Sequence, residues 1–316
     1  MNETEVTIHA EFPLSGTLTL PKLEKKSYPA VLIISGSGKG NRDGNLRNMN
    51  LNVYKELAEF LTMNGCITLR YDKRGTHQSE GNYYKTGLND LINDATDAVN
   101  FLRSHNQVDS EKVFILGHSE GALLTPAVYH KTRVCGLILL AGAFQPSKTI
   151  TQLQADQLYN EMKNAPGIKG LFFRLLNIPA KAKKQNEKLL KRIIDSDQAV
   201  MRVKGIRINA KWMRETLAFD VSKYLRGLTC PVLVVSGEKD VQVPPKDAEK
   251  IADNIQGKAE WYIVDDMNHI LRKFAGNHTM LNLSKEYKSQ INQPIDNELL
   301  NIIKTWLIKY GAIKDC

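Results

Sequence analysis

Apolar residues recur along most of the chain in short continuous runs, and amphipathic segments separate these runs. The runs are Val31–Ile34, Cys66–Tyr71, Val113–Leu116, Gly136–Leu140, Pro231–Val235 and Trp261–Val264. Between them, helical spacing places apolar positions on one face, as in the segment from Leu88 to Leu102. Buried parallel strands joined by helices produce this alternation. The pattern therefore predicts an α/β protein with a mostly parallel central sheet and helices on both faces.

Two parts of the chain depart from this alternation. The opening segment up to Pro21 alternates polar and apolar residues around a Ser15-Gly16 turn, which predicts an antiparallel hairpin. The stretch 144–229 is rich in Lys and Arg, and its pattern indicates helices without a convincing strand. We therefore predict a core domain formed by 1–143 and 230–316, with 144–229 inserted as a helical cap, or lid.

One short motif follows the run Val113–Leu116 directly. Gly117-His118-Ser119-Glu120-Gly121 has the G-x-S-x-G spacing, and it lies between a predicted strand and a predicted helix. That context is the one a nucleophile elbow requires, because two small residues permit the tight turn that exposes the serine hydroxyl. The motif predicts Ser119 as a nucleophile.

A serine hydroxyl needs a histidine to accept its proton and an acid to orient that histidine. Asp240 follows the run Pro231–Val235, and His269 follows Trp261–Val264, so both lie in loops after late strands. Asp265 and Asp266 compete with Asp240 for the role of the acid, but their short tether to His269 disfavours a facing geometry. The weaker histidine candidates are His9, His105, His118 and His278.

The oxyanion of an acyl-transfer intermediate is stabilised by backbone N–H groups. The sequence predicts one donor at Glu120, directly after the nucleophile, and a second at Ser37 or Gly38 in the glycine-rich loop after Val31–Ile34. Gly36-x-Gly38 also fits the start of a dinucleotide-binding fingerprint. Asn41 stands where the third glycine would be, which argues against nucleotide binding.

With these motifs the chain resembles the α/β-hydrolase superfamily, and within it the bacterial esterase and serine-aminopeptidase-like (S33-type) branch. The resemblance covers the chain except 144–229, and its motifs are Gly36-Ser37-Gly38, Asn41–Asn45, Arg70–Gly75, Ser79-Glu80-Gly81, Gly117–Gly121, Gly237–Asp240, Val243-Pro244 and Asn268-His269. It implies an α/β-hydrolase fold with a helical cap after the sixth strand and cleavage of small esters or thioesters without a cofactor. His77 occupies a position that is usually glycine, and for Asp72 and Arg74 we predict a structural ion pair beside the site.

Composition limits the other classes of function. No stretch is long and apolar enough to span a bilayer, and the N-terminus lacks the features of a signal peptide, so we expect a cytoplasmic protein. The four cysteines, Cys66, Cys135, Cys230 and Cys316, stand singly and predict buried free thiols rather than metal ligands or disulfides. We expect neither a metal nor a cofactor.

The net charge of +9 comes from the predicted cap. Residues 144–229 contain 17 Lys and Arg against 7 Asp and Glu, whereas the rest of the chain has 26 against 27. A solvated basic face explains this excess most simply, and attraction of an anionic substrate or an anionic surface stays open. We expect neither nucleic acid binding nor a stable membrane anchor, and the apolar groups Leu171–Phe173, Leu175-Leu176 and Trp212-Met213 are expected to pack the cap or line the pocket.

The sequence thus predicts a serine hydrolase that cleaves carboxylic esters or thioesters through an acyl-enzyme on Ser119. An aminopeptidase or amidase of the same fold is the first alternative, and it would need a carboxylate such as Asp156, Glu161 or Glu215 to hold the substrate amine. The second alternative is a non-catalytic binding protein. Homo-oligomerisation stays open.

Overall fold

The structure of the chain is a computed structural model that describes residues 1–22 and 25–314. Its strands in chain order are β1 (Asn2–Ile8), β2 (Leu14–Leu20), β3 (Tyr28–Ile34), β4 (Ile67–Tyr71), β5 (Val108–His118), β6 (Gly136–Leu140), β7 (Val200–Val203), β8 (Ile206–Asn209), β9 (Val232–Gly237) and β10 (Ala259–Val264). Its α-helices are α1 (Val53–Met63), α2 (Leu88–Ser104), α3 (Glu120–Lys131), α4 (Ser147–Asn164), α5 (Gly167–Leu175), α6 (Ile178–Ile194), α7 (Ala210–Ala218), α8 (Ser222–Leu225), α9 (Asp247–Asp253), α10 (Leu283–Ser289) and α11 (Asn297–Lys309).

One eight-stranded sheet organises the molecule, in the order β1-β2-β4-β3-β5-β6-β9-β10. The opening hairpin β1–β2 is antiparallel and joins β4 in antiparallel register, whereas the pairs from β4 to β10 are parallel. The predicted mostly parallel sheet and the predicted hairpin are therefore both confirmed. The predicted position of the turn is wrong, because Ser15 and Gly16 lie within β2 and pair with β1, and residues 9–13 connect the two strands. The helices between the parallel strands supply the long crossovers that such strands require.

The sheet separates two apolar cores. On β3, Ala30, Leu32 and Ile34 belong to one core, and the alternate residues Val31 and Ile33 belong to the other. Helices α2, α3 and α9 cover the first face, while α1 and α11 cover the second. Because both faces of these strands are buried, their sequences read as continuous apolar runs rather than as an alternation.

The segment 144–229, which we call the inserted segment, lies between the adjacent strands β6 and β9. It is not purely helical as predicted, because β7 and β8 form an antiparallel hairpin within it. The hairpin turns at Lys204 and Gly205, both with positive φ, which is the backbone of a two-residue hairpin turn. Short, arginine-containing strands outside the main sheet carry no apolar run, and for this reason the sequence pattern missed them. The division into a core domain and a cap stays a prediction.

The cysteines follow the expected pattern in part. Cys66 and Cys230 are buried free thiols, and Cys135 is half-buried. Burial raises the pKa of Cys66 to about 12 and that of Cys230 to about 11, which keeps both thiols protonated. Cys316 lies outside the described residues. Within residues 1–22 and 25–314, no helix is both long and apolar enough to cross a bilayer, and no group of three or more His, Cys, Asp or Glu side chains could hold a metal.

Candidate active site

Ser119 lies in the tight turn between β5 and α3. Its backbone has φ of 55° and ψ of −115°, a strained conformation for a residue with a side chain. Close packing explains the two glycines of the motif. A Cβ atom on Gly121 would lie 2.0 Å from the carbonyl oxygen of Ile34, and one on Gly117 would lie 2.4 Å from that of Gly121. The motif therefore forms a turn that only this pattern of small residues permits.

A chain of hydrogen bonds links Ser119 to His269 and Asp240. The His269 Nε2 atom lies 3.0 Å from the Ser119 Oγ atom, and His269 Nδ1 lies 2.7 Å from Asp240 Oδ2. Because a carboxylate only accepts hydrogen bonds, Nδ1 carries the proton and Nε2 is free to accept the serine proton. The structure thus brings together the three residues that the sequence singled out.

The order of the strands places His269 far from Ser119 at the point where its loop begins. Ser119 follows β5 and Asp240 follows β9, with β6 between these strands, and His269 follows β10 at the sheet edge. At about 4.8 Å per strand, the end of β10 is roughly 14 Å from the end of β5. The loop after β10 must therefore arch back across β9 and β6. It passes close to Gly237, where an added Cβ would lie 2.1 Å from the Met267 carbonyl oxygen.

Hydrogen bonds from backbone amides fix the side chains of Asp240 and Asn268. Asp240 Oδ1 accepts hydrogen bonds from the amides of Gln242 (2.8 Å) and Val243 (3.0 Å), which leaves Oδ2 for His269. Asn268 accepts from the amides of Ile270 and Arg272 with its side-chain oxygen, and so fixes the turn that carries His269. The carboxylate that contacts His269 is that of Asp240.

The competing acids point elsewhere. Asp266 lies 3.7 Å from the Lys239 ammonium group, and Asp265 is exposed. Their short tether to His269 therefore does not bring either carboxylate into contact with its ring.

The loop after β3 borders Ser119, because β3 and β5 are neighbours in the sheet. Ser37 lines the same cavity as Ser119 and Glu120, whereas Gly38 lines an adjacent cavity beside Glu120 and Trp212. Glu120 is the first residue of α3, a position whose N–H group has no acceptor within the helix. Ser37 and Glu120 therefore border the same cavity as Ser119, whereas Gly38 does not line it.

Ion pairs hold this loop in place. Arg42 pairs with Asp72 at 3.0 Å, and Arg70 pairs with Asp43 at 2.7 Å, so the loop after β3 is tied to β4 and to the residue that follows it. The predicted pair between Asp72 and Arg74 is wrong in its partners. Arg74 instead forms a fork with the buried Asp94 on α2, at 2.5 and 3.0 Å.

His77 has a backbone conformation that is uncommon for a residue with a side chain. Its φ is 44°, in the left-handed region that favours glycine, which fits the sequence expectation of a glycine at this position. The His77 Nε2 atom lies 2.8 Å from the carbonyl oxygen of Lys39 and donates to it. His77 thus makes a hydrogen bond to the loop after β3, although its backbone conformation is strained.

A buried network that the sequence analysis did not identify lies behind Ser119. The Gly36 amide donates to the Tyr54 hydroxyl (2.7 Å), which lies 2.9 Å from His118 Nδ1, and His118 Nε2 lies 2.8 Å from the carbonyl oxygen of His269. Since a carbonyl only accepts, Nε2 carries the His118 proton and Tyr54 donates to Nδ1. If His118 were protonated on both nitrogens, the Tyr54 hydroxyl proton would lose its acceptor. The hydrogen bonds of this network are therefore all satisfied only while His118 is neutral. The network connects the loop after β3 with the loop of His269.

Burial lowers the pKa of His118 to about 3. In the unfolded chain the same imidazole takes up a proton near pH 6.5, so acid stabilises the unfolded state. Between pH 6.5 and pH 4 this difference should cost about 3 kcal/mol of unfolding free energy. We expect the stability of the wild type to fall more steeply over this range than that of His118→Gln, as measured by urea unfolding.

The exposed His9, in the turn of the opening hairpin, offers a matched control for this prediction. His9→Gln should keep the wild-type dependence of stability on pH. If the unfolding free energies of His118→Gln and the wild type fall in parallel between pH 6.5 and pH 4, the conclusion that His118 is buried in its neutral form is contradicted.

A second group ties the inserted segment to the elbow. The Glu120 carboxylate forms a buried ion pair with Lys73 at 2.5 Å, and its other oxygen accepts a hydrogen bond of 2.7 Å from the Trp212 indole on α7. Lys73 also donates to the Gly36 carbonyl at 2.5 Å. The Glu120 side chain therefore links α7 with Lys73 and, through Lys73, with the loop after β3. No local pattern in the sequence indicates this role.

Two cavities meet at Ser119. One, of about 140 Å³, lies towards the inserted segment, and its mostly apolar lining includes Leu123, Ile150 and Trp212. The other, of about 210 Å³, lies between the loop after β3 and His269. Among the described residues that line these two cavities there is no Lys or Arg, so the basic excess of the inserted segment faces elsewhere.

Some apolar residues of the inserted segment line the Ser119 cavity, and others are exposed to solvent. Trp212 lines the Ser119 cavity as expected. Leu171, Phe172, Leu175 and Leu176, in contrast, are exposed, so the expectation that they pack the segment or line the pocket is wrong.

Comparison with known proteins agrees with this architecture. Residues 47–272 match the family model described as serine aminopeptidase, S33. Esterase EstD of Thermotoga maritima is 28% identical over 309 residues, which cover 97% of this chain and 68% of that protein.

Solved structures share the fold at low sequence identity. The α/β hydrolase GrgF from Penicillium sp. sh18 superimposes with a TM-score of 0.63 at 16% identity, over 99% of this chain and all of its own. Est1E from Butyrivibrio proteoclasticus has a TM-score of 0.60 at 16% identity, over 98% of this chain and 99% of its own. The chain therefore belongs to the serine aminopeptidase S33 family, and it is a hydrolase of the α/β-hydrolase fold that resembles carboxylesterases.

Proposed function

We propose that the protein hydrolyses carboxylic esters through a covalent acyl-enzyme on Ser119. The observation that carries this proposal is the continuous hydrogen-bonded chain from Asp240 through His269 to the Ser119 hydroxyl. This geometry allows a neutral histidine to remove the serine proton while the carboxylate stabilises the imidazolium that forms. The 28% identity with an esterase over nearly the whole chain supports the same reaction class.

The mechanism follows from the positions of these groups. Ser119 Oγ attacks the ester carbonyl carbon, and His269 Nε2 takes the hydroxyl proton. The resulting oxyanion is stabilised by the Glu120 amide and, on the basis of their shared cavity, by the Ser37 amide rather than that of Gly38. The tetrahedral intermediate then expels the alcohol, which receives the proton from His269. Water, activated by the same histidine, releases the acid and restores Ser119.

The two cavities suggest how the substrate divides. The apolar cavity of about 140 Å³ under the inserted segment suits the acyl group, and its volume is below that of pockets for drug-sized ligands. The cavity beside His269 suits the leaving alcohol, because the leaving oxygen must lie close to Nε2 when it accepts the proton. We therefore propose short acyl groups and a less restricted alcohol.

The family description names aminopeptidase activity, which needs a carboxylate to hold the amine of the substrate. The carboxylates that could do so are already bound to other groups. Asp156 is paired with Lys183, Glu161 accepts from the amides of Met280 and Leu281, and Glu215 accepts from the amide of Asn89. Among the residues that line the two Ser119 cavities, Glu120 is the acidic one. Its two carboxylate oxygens are already bound by Lys73 and Trp212. These contacts favour the ester over the amide.

A substrate panel tests the proposed function. We expect p-nitrophenyl esters to be hydrolysed with a maximum at short acyl chains, and aminoacyl p-nitroanilides to react at least about 10³-fold more slowly in kcat/KM, a difference of about 4 kcal/mol in transition-state binding. The corresponding acyl thioesters form a third arm of the panel. Faster cleavage of the anilides than of the esters would overturn the proposed ester specificity.

A further inference from the structure

Helix α5 presents its apolar face to solvent. Ile168, Leu171, Phe172 and Leu175 recur at the spacing of one helix face, and their exposed fractions are 88%, 51%, 55% and 74%. Leu176, directly after the helix, is 45% exposed and extends the same face. In a surface helix such a stripe normally faces the core. An exposed stripe of this kind indicates an interaction surface.

The opposite face of α5 is the one that packs. Gly170 is buried against the preceding turn, where an added Cβ would lie 1.6 Å from the Ala165 carbonyl oxygen. Arg174, one turn later, donates to the carbonyl oxygens of Lys163 and Ala165, both at 3.1 Å. The packed face is thus set by Gly170 and Arg174, so the outward orientation of the apolar stripe is built into the segment.

Positive charge is concentrated in the part of the chain that carries this stripe. Residues 163–194 contain nine Lys and Arg and one acidic residue, Glu187. On α6, which follows α5 directly, Lys184, Lys188 and Lys191 are exposed and lie on one face by their spacing. Of the basic residues on this helix, Lys183 is paired with Asp156. On this helix Glu187 is adjacent to the lysine row, so the row keeps a clear excess of positive charge but is not free of acid.

From these two features we propose that α5 and α6 form a docking surface for an anionic lipid bilayer. The apolar stripe would enter the boundary between headgroups and acyl chains, and the lysine row would contact acidic headgroups. Membrane binding of moderate strength needs two such signals, and this surface supplies both. The charge selects this occupant over a second copy of the chain, because two such faces would bring like charges together.

This docking is reversible and differs from a membrane-spanning anchor. It is also independent of the proposed ester hydrolysis, since none of the stripe residues lines a Ser119 cavity. An inactive Ser119→Ala protein should therefore bind vesicles as the wild type does.

Vesicle sedimentation tests the proposal with the full chain. We expect binding to phosphatidylcholine vesicles that contain phosphatidylserine and at least about tenfold weaker binding to pure phosphatidylcholine vesicles. Phe172→Ser with Leu175→Ser should weaken binding by about tenfold or more, because each side chain loses apolar burial. Lys184→Gln, Lys188→Gln and Lys191→Gln together should weaken binding to the anionic vesicles by a similar factor and reduce its dependence on salt.

The matched control replaces three exposed lysines near the amino-terminal edge of the parallel strands. Lys22→Gln, Lys112→Gln and Lys258→Gln remove the same charge and should leave vesicle binding within about twofold of the wild type. Circular dichroism and ester hydrolysis check that every variant is folded. Equal loss of binding in both lysine triples would overturn the proposed site, as would a folded wild type that fails to bind anionic vesicles. A concentration-dependent dimer that Phe172→Ser and Leu175→Ser abolish, without vesicle binding, would assign the face to a second copy instead.

Discussion

Replacement of Ser119 by alanine is expected to lower kcat/KM for a short p-nitrophenyl ester by about 10⁴-fold or more. The variant keeps the cavity, the amides that we propose bind the oxyanion, and the Asp240–His269 pair, but it has no atom that can form the proposed acyl-enzyme. Residual hydrolysis by bound water accounts for the rate that remains. Initial rates under substrate limitation give kcat/KM directly.

A matched serine controls for the loss of a hydroxyl group. Ser236 is buried near the end of β9, and its hydroxyl has no hydrogen-bond partner among the described residues. Ser236→Ala should keep kcat/KM within about twofold of the wild type, since no contact of a polar group is lost. Comparable losses of kcat/KM in Ser119→Ala and Ser236→Ala would contradict the role of Ser119 as the nucleophile.

The Asp240→Asn variant is expected to lose about 10³- to 10⁴-fold in kcat, with little change in KM. An amide at this position presents an N–H group, which favours the His269 tautomer with its proton on Nε2. That nitrogen, 3.0 Å from the Ser119 hydroxyl, can then no longer accept the serine proton. The expected pattern is a lower kcat with intact substrate binding.

Asp266 supplies the control for this acid. It lies in the same loop as His269 but is near Lys239, and Asp266→Asn should leave kcat within about twofold of the wild type. If Asp266→Asn were as damaging as Asp240→Asn, the assignment of the acid from its contact with His269 would be wrong.

The sequence predicts the sheet and the three linked residues well, for a physical reason. Strands buried on both faces must be continuously apolar, and the functional loops leave such strands at one edge of the sheet. Ser119, Asp240 and His269 each lie within five residues after an apolar run, so their approximate places could be inferred without coordinates. The tight packing at Gly117 and Gly121 likewise has a sequence signature.

The supporting contacts could not be predicted in the same way. Tyr54 comes from α1, and Trp212 comes from α7 within the inserted segment, so their contacts with His118 and Glu120 join residues far apart in the chain. Neither residue belongs to a motif, and each would read as an ordinary apolar helix position. The β7–β8 hairpin and the outward face of α5 also depend on packing within the inserted segment, which local periodicity does not encode.

Labelling with a fluorophosphonate probe tests the central claim most directly, because the probe bonds only to an activated nucleophile and mimics the tetrahedral intermediate. Intact-mass measurement of the labelled protein, followed by peptide mapping, identifies the modified residue. The proposed mechanism predicts one adduct per chain, on the peptide that contains Ser119, and strongly reduced labelling in Asp240→Asn. An unlabelled folded protein, or an adduct on another residue, would contradict it.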